Sequence, residues 1–220
     1  MRSIACLCLI SLALMPSARA DEKGWMSLFD GKSLLGWTRF GGKAEAWAVE
    51  NGCLVSLGEG GGWLGTTRDY ADFELKLEFL VTSGSNSGVY LHAPADTSHI
   101  SRTGMEIQIL DETHPKHAKI QGWQKTGAVY HIAAPKPGFQ KAVGEWNTME
   151  IKLVRTEIEI KLNGHVIVQD RLDSHPELTK EHTGLARNSG RIGLQSHNGR
   201  VEFRGIKVKD LGSSISPARK

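Results

Sequence analysis

Apolar and polar residues alternate with a period of two along much of this chain. In Asp72-Phe73-Glu74-Leu75-Lys76-Leu77-Glu78-Phe79 the apolar side chains at 73, 75, 77 and 79 share one face and the charges share the other, which predicts a strand with one buried and one wet face. The alternation returns in Met149, Ile151 and Leu153 against Glu150 and Lys152, and in Ile158, Ile160 and Leu162 against Glu157, Glu159 and Lys161. A hairpin near Arg155-Thr156 is expected to join these two. Asn163-Gly164 follows, the dipeptide preferred by a two-residue type I′ turn, and Val166-Ile167-Val168 supplies the returning strand.

Shorter strands are expected at 46–50, 53–56, 87–92, 104–110, 127–132, 191–196 and 201–209, with Asn51-Gly52 and Asn198-Gly199 as further turn signals. About a dozen strands with no long helical pattern between them predict an all-β fold, an antiparallel sandwich or barrel. The least regular stretches, 94–103, 111–125, 133–145 and 172–190, are loops of the length that edges a site on a β scaffold. No internal repeat or low-complexity segment is present.

The first twenty residues break the pattern differently. Arg2, an apolar run from Ile4 to Met15 and Ala18-Arg19-Ala20 read as a secretory signal, predicting residues 1–20 as leader, 21–212 as one folded domain and 213–220 as a flexible tail. That places the protein in the periplasm or outside the cell. The apolar run is too short to span a bilayer and no later stretch is long enough, so no membrane span is expected. Of 220 residues 27 are Lys or Arg and 24 are Asp or Glu, too even a balance for a nucleic-acid binder. Hydrophobic residues at 40% suffice for a real core. Cys6 and Cys8 lie in the leader, so Cys53 stands alone as a buried strand thiol with no internal disulfide partner.

Most outward strand positions carry Lys or Glu, but four strands carry a different polar phase. Tyr90 and His92, Glu106 and Gln108, Tyr130, and Gln195 and His197 would line one surface if their strands share a sheet. Outward polar residues on a single strand are ordinary solvent positions; it is the coincidence over four strands that points to a site. Amide, carboxylate, imidazole and aromatic groups together suit a sugar, whose hydroxyls need convergent hydrogen bonds and whose C–H faces stack on rings. Trp37, Trp47 and Trp146 read as core residues, whereas Trp63 and Trp123, flanked by glycines and polar loops, are the candidates for stacking.

Other motifs carry less. Gly58-Glu59-Gly60-Gly61-Gly62 lacks the Lys-Ser/Thr and following helix of a phosphate-binding loop. His114 and His117 are three apart without a helix to aim them at one ion, and the acidic residues Asp69, Asp72, Asp96, Asp111 and Glu112 follow no EF-hand spacing. No Gly-x-Ser-x-Gly, Cys-x-x-Cys or His-Glu-x-x-His occurs.

A series of ordered blocks carries a family resemblance: Leu28-Phe29-Asp30-Gly31-Lys32-Ser33-Leu34-Leu35-Gly36-Trp37, Trp47-Ala48-Val49-Glu50-Asn51-Gly52, Tyr70-Ala71-Asp72-Phe73-Glu74-Leu75, Asn86-Ser87-Gly88-Val89-Tyr90, Gly104-Met105-Glu106-Ile107-Gln108-Ile109-Leu110-Asp111, Gly144-Glu145-Trp146-Asn147 and Ile192-Gly193-Leu194-Gln195-Ser196-His197. Over about residues 26–211 the chain resembles the secreted 3-keto-disaccharide hydrolases. The resemblance implies a concanavalin A-like jelly-roll sandwich of two antiparallel sheets, and an activity of the 3-keto-glucoside 1,2-lyase and 3-keto-2-hydroxyglucal hydratase kind.

That chemistry needs a general base, donors or a cation for an enolate oxygen, and an acid for the leaving group. Glu106 or His197 is expected as base, with the other and His92 as proton donor or metal ligand. Tyr90, Gln108, Tyr130 and Gln195 would orient the sugar, with Asp111, Trp123 and Arg204 as further substrate contacts; Arg204 could instead pair with Glu202. The sequence specifies no cofactor; a divalent ion, with Glu106, His92 and His197 as candidate ligands, is one way to stabilise the enolate. The expected partner is a carbohydrate. Two other readings stay open: a retaining endoglucanase using Glu106 and Asp111, if a bulge near Ile109-Leu110 returns Asp111 to the face of Glu106, and a carbohydrate-binding module with the same groove and no working base.

Overall fold

The computed structural model describes residues 23–59 and 61–212; the expected leader and tail lie outside the described residues. Among the latter, thirteen strands run in chain order as β1 (Trp25–Ser27), β2 (Trp37–Phe40), β3 (Trp47–Glu50), β4 (Cys53–Ser56), β5 (Trp63–Thr66), β6 (Asp72–Val81), β7 (Asn86–Ala93), β8 (Met105–Leu110), β9 (Asn147–Val154), β10 (Glu157–Leu162), β11 (His165–Arg171), β12 (Arg191–Gln195) and β13 (Val201–Gly212). They form two antiparallel sheets, one in the order β11-β10-β9-β6-β13-β4-β3 with β1 added to β13, the other in the order β2-β5-β12-β7-β8. The all-β sandwich expected from the alternation is the fold.

The core forms where the two apolar phases meet. Phe73, Leu75, Leu77, Phe79, Met149, Ile151, Leu153, Ile158, Ile160 and Leu162 from the larger sheet pack with Leu64, Val89, Leu91, Ile107, Ile109, Ile192 and Leu194 from the smaller. The expected hairpins are present: Val154 pairs with Glu157 across Arg155-Thr156, and Asn163 and Gly164 both take positive φ (52° and 83°), as a type I′ turn requires. Cys53 is a buried free thiol on β4.

Three strands, β1, β2 and β5, are not among those expected: each has only three or four residues, and no Asn-Gly turn joins them as Asn51-Gly52 joins the equally short β3 and β4. Conversely, 127–132 is not a strand. Val129 makes isolated bridges to Ile107 and to Ala133, and His131 has a φ of +65° that turns the chain. This loop instead covers the outer edge of β8: the Gln108 amide donates to the Ala128 carbonyl, Gly127 donates to Gln108 and Tyr130 donates to Glu106, so the edge strand is not left bare. Trp37 and Trp47 are core residues, but Trp146 is half-buried beneath the Arg204 guanidinium, 3.9 Å from its ring.

Candidate active site

The outer face of the smaller sheet carries the polar phase, and strand register arranges it in two adjacent rows. One row runs Glu106–Tyr90–Gly193–Gly65–Thr38 across β8, β7, β12, β5 and β2. Its neighbour pairs Gln108 with Gly88 and, further across, Gln195 with Trp63 and Trp63 with Phe40. With strands about 4.8 Å apart, bulky side chains in adjacent positions need small neighbours, and the glycines meet that need. A Cβ on Gly65 or Gly193 would stand 2.4 or 2.6 Å from the Trp63 ring, and one on Gly88 would stand 2.7 Å from Glu106 Oε1.

Over these rows lies a groove of about 670 Å³, within the ordinary range of small-molecule sites. Tyr90, Glu106, Gln108, Tyr130, Gln195 and His197 line it, as do Trp63, Phe40, Asn86, Ser196 and the 97–101 segment. Of the four loops expected to edge a site, only 94–103 contributes lining residues; those at 111–125, 133–145 and 172–190 do not.

Glu106 is the one carboxylate among the lining residues. It is 4% exposed, and burial, opposed by the Gln195 amide, pushes its pKa up to about 8 because a low-dielectric surrounding penalises the charged form. Tyr90 is opposite it in the ladder. Burial and then the Glu106 charge raise the phenol well above its ordinary value, with Gln195 opposing, so Tyr90 stays neutral. Gln195 Nε2 donates to the Tyr90 hydroxyl at 2.6 Å, which leaves the phenolic proton free to be donated. Gln108 Oε1 accepts from the Ile109 amide at 3.0 Å, so its NH₂ is the end left for a ligand. His197 stands at the rim; burial and then the positive charge of Lys116 hold its imidazole below the usual value. The set offers one carboxyl that exchanges a proton near neutrality, a neutral phenol donor, two amides and a rim imidazole.

Four expected site residues are placed elsewhere. His92 is 1% exposed, with Nε2 2.8 Å from the Ala71 carbonyl and Nδ1 3.0 Å from that of Arg187. Its φ of +47° coincides with a register shift between β7 and β12, a bulge that upsets the alternation. Ala93 takes the outward place instead, packing with Trp63, Tyr90 and Ile100. Asp111 is buried off the groove, its carboxylate accepting from the Gly84 amide and from the Thr113 amide and hydroxyl. The β7–β8 register runs unshifted to Leu110, so the bulge that would have returned Asp111 beside Glu106 is absent. Arg204 lies on β13 of the other sheet and pairs with Glu78, not Glu202; Glu202 pairs with Arg200. Trp123 stacks on His131 at 3.9 Å and meets the edge of Tyr130 at 5.2 Å, backing the groove wall without lining it.

The expected divalent-ion set is therefore not assembled: His92 is tied between two carbonyls away from Glu106 and His197. Among the described residues no three His, Cys, Asp or Glu side chains group as a metal site. The strand pattern also missed Phe40, Asn86 and Ser196. Phe40 ends a four-residue strand; Asn86 stands one residue before the expected strand 87–92 and Ser196 is out of phase with Gln195 and His197, although both lie within the blocks that carry the resemblance. Asn86 Oδ1, Gln195 Oε1 and Ser196 Oγ are buried without a partner.

The sequence model of the 3-keto-alpha-glucoside-1,2-lyase-like domain matches residues 24–209. The chain is 27% identical to a 3-keto-disaccharide hydrolase of Bacteroides thetaiotaomicron, over 87% of this chain and 80% of that protein. A crystal structure from Parabacteroides distasonis, provisionally described as a glycosyl hydrolase, superimposes with a TM-score of 0.75 at 27% identity over 86% of this chain and 94% of that one. A carbohydrate-binding module of Bacillus subtilis shares the fold, with a TM-score of 0.56 at 14% identity over 78% and 94% of the two chains.

Proposed function

The chain belongs to the 3-keto-alpha-glucoside-1,2-lyase-like family, and from that premise we propose that this enzyme, a carbohydrate hydrolase in overall outcome, cleaves 3-keto-glucosides by elimination across C1–C2 followed by hydration. A ketone at C3 acidifies the C2 hydrogen. Its removal leaves an enediolate that expels the C1 substituent, whose oxygen takes up a proton from solvent at the open groove and departs as the alcohol; water then adds back at C1, losing its proton to solvent through His197, as a proton returns to C2. No oxocarbenium ion is formed.

Glu106 is the base in this reading. A carboxylate with a pKa of about 8 is matched to proton transfer near neutral pH, and in its protonated form it is the group that returns the proton to C2. The neutral Tyr90 hydroxyl and the Gln108 NH₂ are the donors for the enolate oxygen. His197, neutral and open to solvent at the rim, activates the water that adds at C1. The observation that carries the proposal is the solitary buried carboxyl of Glu106 facing a polar groove. A retaining glycosidase needs a second carboxylate about 5 to 5.5 Å from the first, and Asp111 is committed to the Gly84 and Thr113 donors instead. Export to the periplasm or beyond is part of the same proposal, supported by the leader pattern of residues 1–20.

Turnover in deuterated water tests it. A 3-keto-glucoside should be cleaved with deuterium appearing at C2 of the product by NMR, and the unoxidised parent should be untouched. Cleavage of the parent without deuterium uptake would establish ordinary glycoside hydrolysis in its place.

A further inference from the structure

The two ends of the groove differ in chemistry. On β7 and at the end of β12, between the strand of Glu106 and that of Trp63, lie Asn86 Oδ1, Gln195 Oε1 and Ser196 Oγ, three buried oxygens without a protein partner. Unmatched buried acceptors are costly and uncommon, so their convergence on one groove marks where the hydroxyl protons of a ligand belong. Toward β2 the groove turns aromatic. Phe40 lies 4.3 Å from Trp63 with the rings 18° from parallel; rings so close and so nearly parallel must overlap face to face. Trp63 itself is closed off: the backbones of Gly65 and Gly193 press against it, the Tyr90 ring stands at its edge 5.8 Å away, and its indole N–H donates to the Asp96 carbonyl at 3.1 Å. At 3% exposure Trp63 has no face to offer a ligand. Half-buried Phe40, which covers it, does.

We infer that the groove holds two sugar units: the oxidised ring over Glu106, hydrogen-bonded at the Asn86–Ser196 end, and the departing hexose stacked on Phe40, with Trp63 as the rigid support beneath that ring. This rests on the 3-keto-glucoside reading above and adds to it the placement of the leaving group. Tyr90 touches Trp63 and Trp63 touches Phe40, so the aromatic wall begins beside the reacting ring and extends over a second one. The sugar C–H face supplies the stacking surface that such a wall recognises.

The experiment compares two substrates, a 3-keto-glucosyl-glucose disaccharide and methyl 3-keto-glucoside. Phe40→Ala and Phe40→Leu should lower kcat/KM for the disaccharide about five- to tenfold more than for the methyl glycoside, and Phe40→Tyr should restore the preference. Ser196→Ala should lower both substrates by a common factor. Thermal melting of each variant separates lost stacking from lost folding. Equal losses on both substrates in Phe40→Ala, or full activity in Phe40→Leu, overturn the assignment. If the wild type turns over neither substrate, the reaction reading fails and equilibrium binding of the unoxidised disaccharide decides the subsite. Weaker binding by Phe40→Ala with retention in Phe40→Tyr then upholds it. Equal binding by both variants, or none by the wild type, overturns it.

Discussion

Gly88 and Glu106 occupy diagonal positions on adjacent strands, and the glutamate carboxyl fills the space where a Gly88 side chain would be: a Cβ there would come within 2.7 Å of Oε1 and 3.0 Å of Cγ. Gly88 does not have a positive φ, so its backbone would accept alanine without strain. Gly88→Ala should therefore fold, as judged by circular dichroism, while displacing the carboxyl. A misplacement of this size in a reacting group costs about 10- to 100-fold in rate, and wild-type kcat/KM in this variant would remove Glu106 from the chemistry.

Glu106 also links activity to pH. If it acts as a base with a pKa of about 8, kcat/KM should rise with pH and level off above about 8. Glu106→Gln should remove that limb along with about 10²- to 10⁴-fold of rate. A profile that falls through the same range would make Glu106 the acid.

Stability should show the opposite dependence. The carboxyl is raised from 4.5 to about 8 on folding, so between these values the unfolded chain loses a proton that the folded chain keeps. The stabilising contribution is complete below about pH 4.5 and is lost as pH rises toward 8, at about 1.4 kcal/mol per unit. Thermal melts of Glu106→Gln should decline less steeply than wild type across this window and exceed it at pH 8. Parallel melting curves would mean that the carboxyl is not desolvated in solution.

Asp111 should behave as a fold residue. Burial alone would raise its pKa, but donors from Gly84 and Thr113 outweigh it and the net direction is down. The stabilisation it brings is present above the ordinary carboxylate range and is lost as pH falls through and below it. Asp111→Ala should cost about 1 to 3 kcal/mol in denaturant titration, while kcat of the folded fraction stays close to wild type. A large loss of kcat without loss of stability would restore the two-carboxylate reading.

Truncation of Phe73, Leu75, Leu77, Ile151, Leu153, Ile158 or Ile160 to Ala should each cost about 2 to 5 kcal/mol, since all seven are no more than 2% exposed and belong to one core. Near-neutral effects at most of these positions in urea unfolding would mean that the inward face is assigned wrongly.

Much of this was legible in the chain itself. Period-two alternation decided which faces of β6, β9 and β10 turn inward, because burying one face of a strand determines every side chain along it. Asn163-Gly164 placed a turn through local φ preference alone. The same arithmetic put Tyr90, Glu106, Gln108 and Gln195 on one outward phase, and they line one groove. It failed where the backbone leaves regular geometry. One extra residue in β7 turned His92 away from the surface its neighbours share, and the unshifted β8 register kept Asp111 from it. Which strands are neighbours is a property of tertiary pairing. Only the order β2-β5-β12-β7-β8 brings Phe40, Trp63 and Glu106 to one groove from positions up to 66 residues apart in sequence, and only the loops folded over that sheet exclude enough water to shift the Glu106 proton toward pH 8.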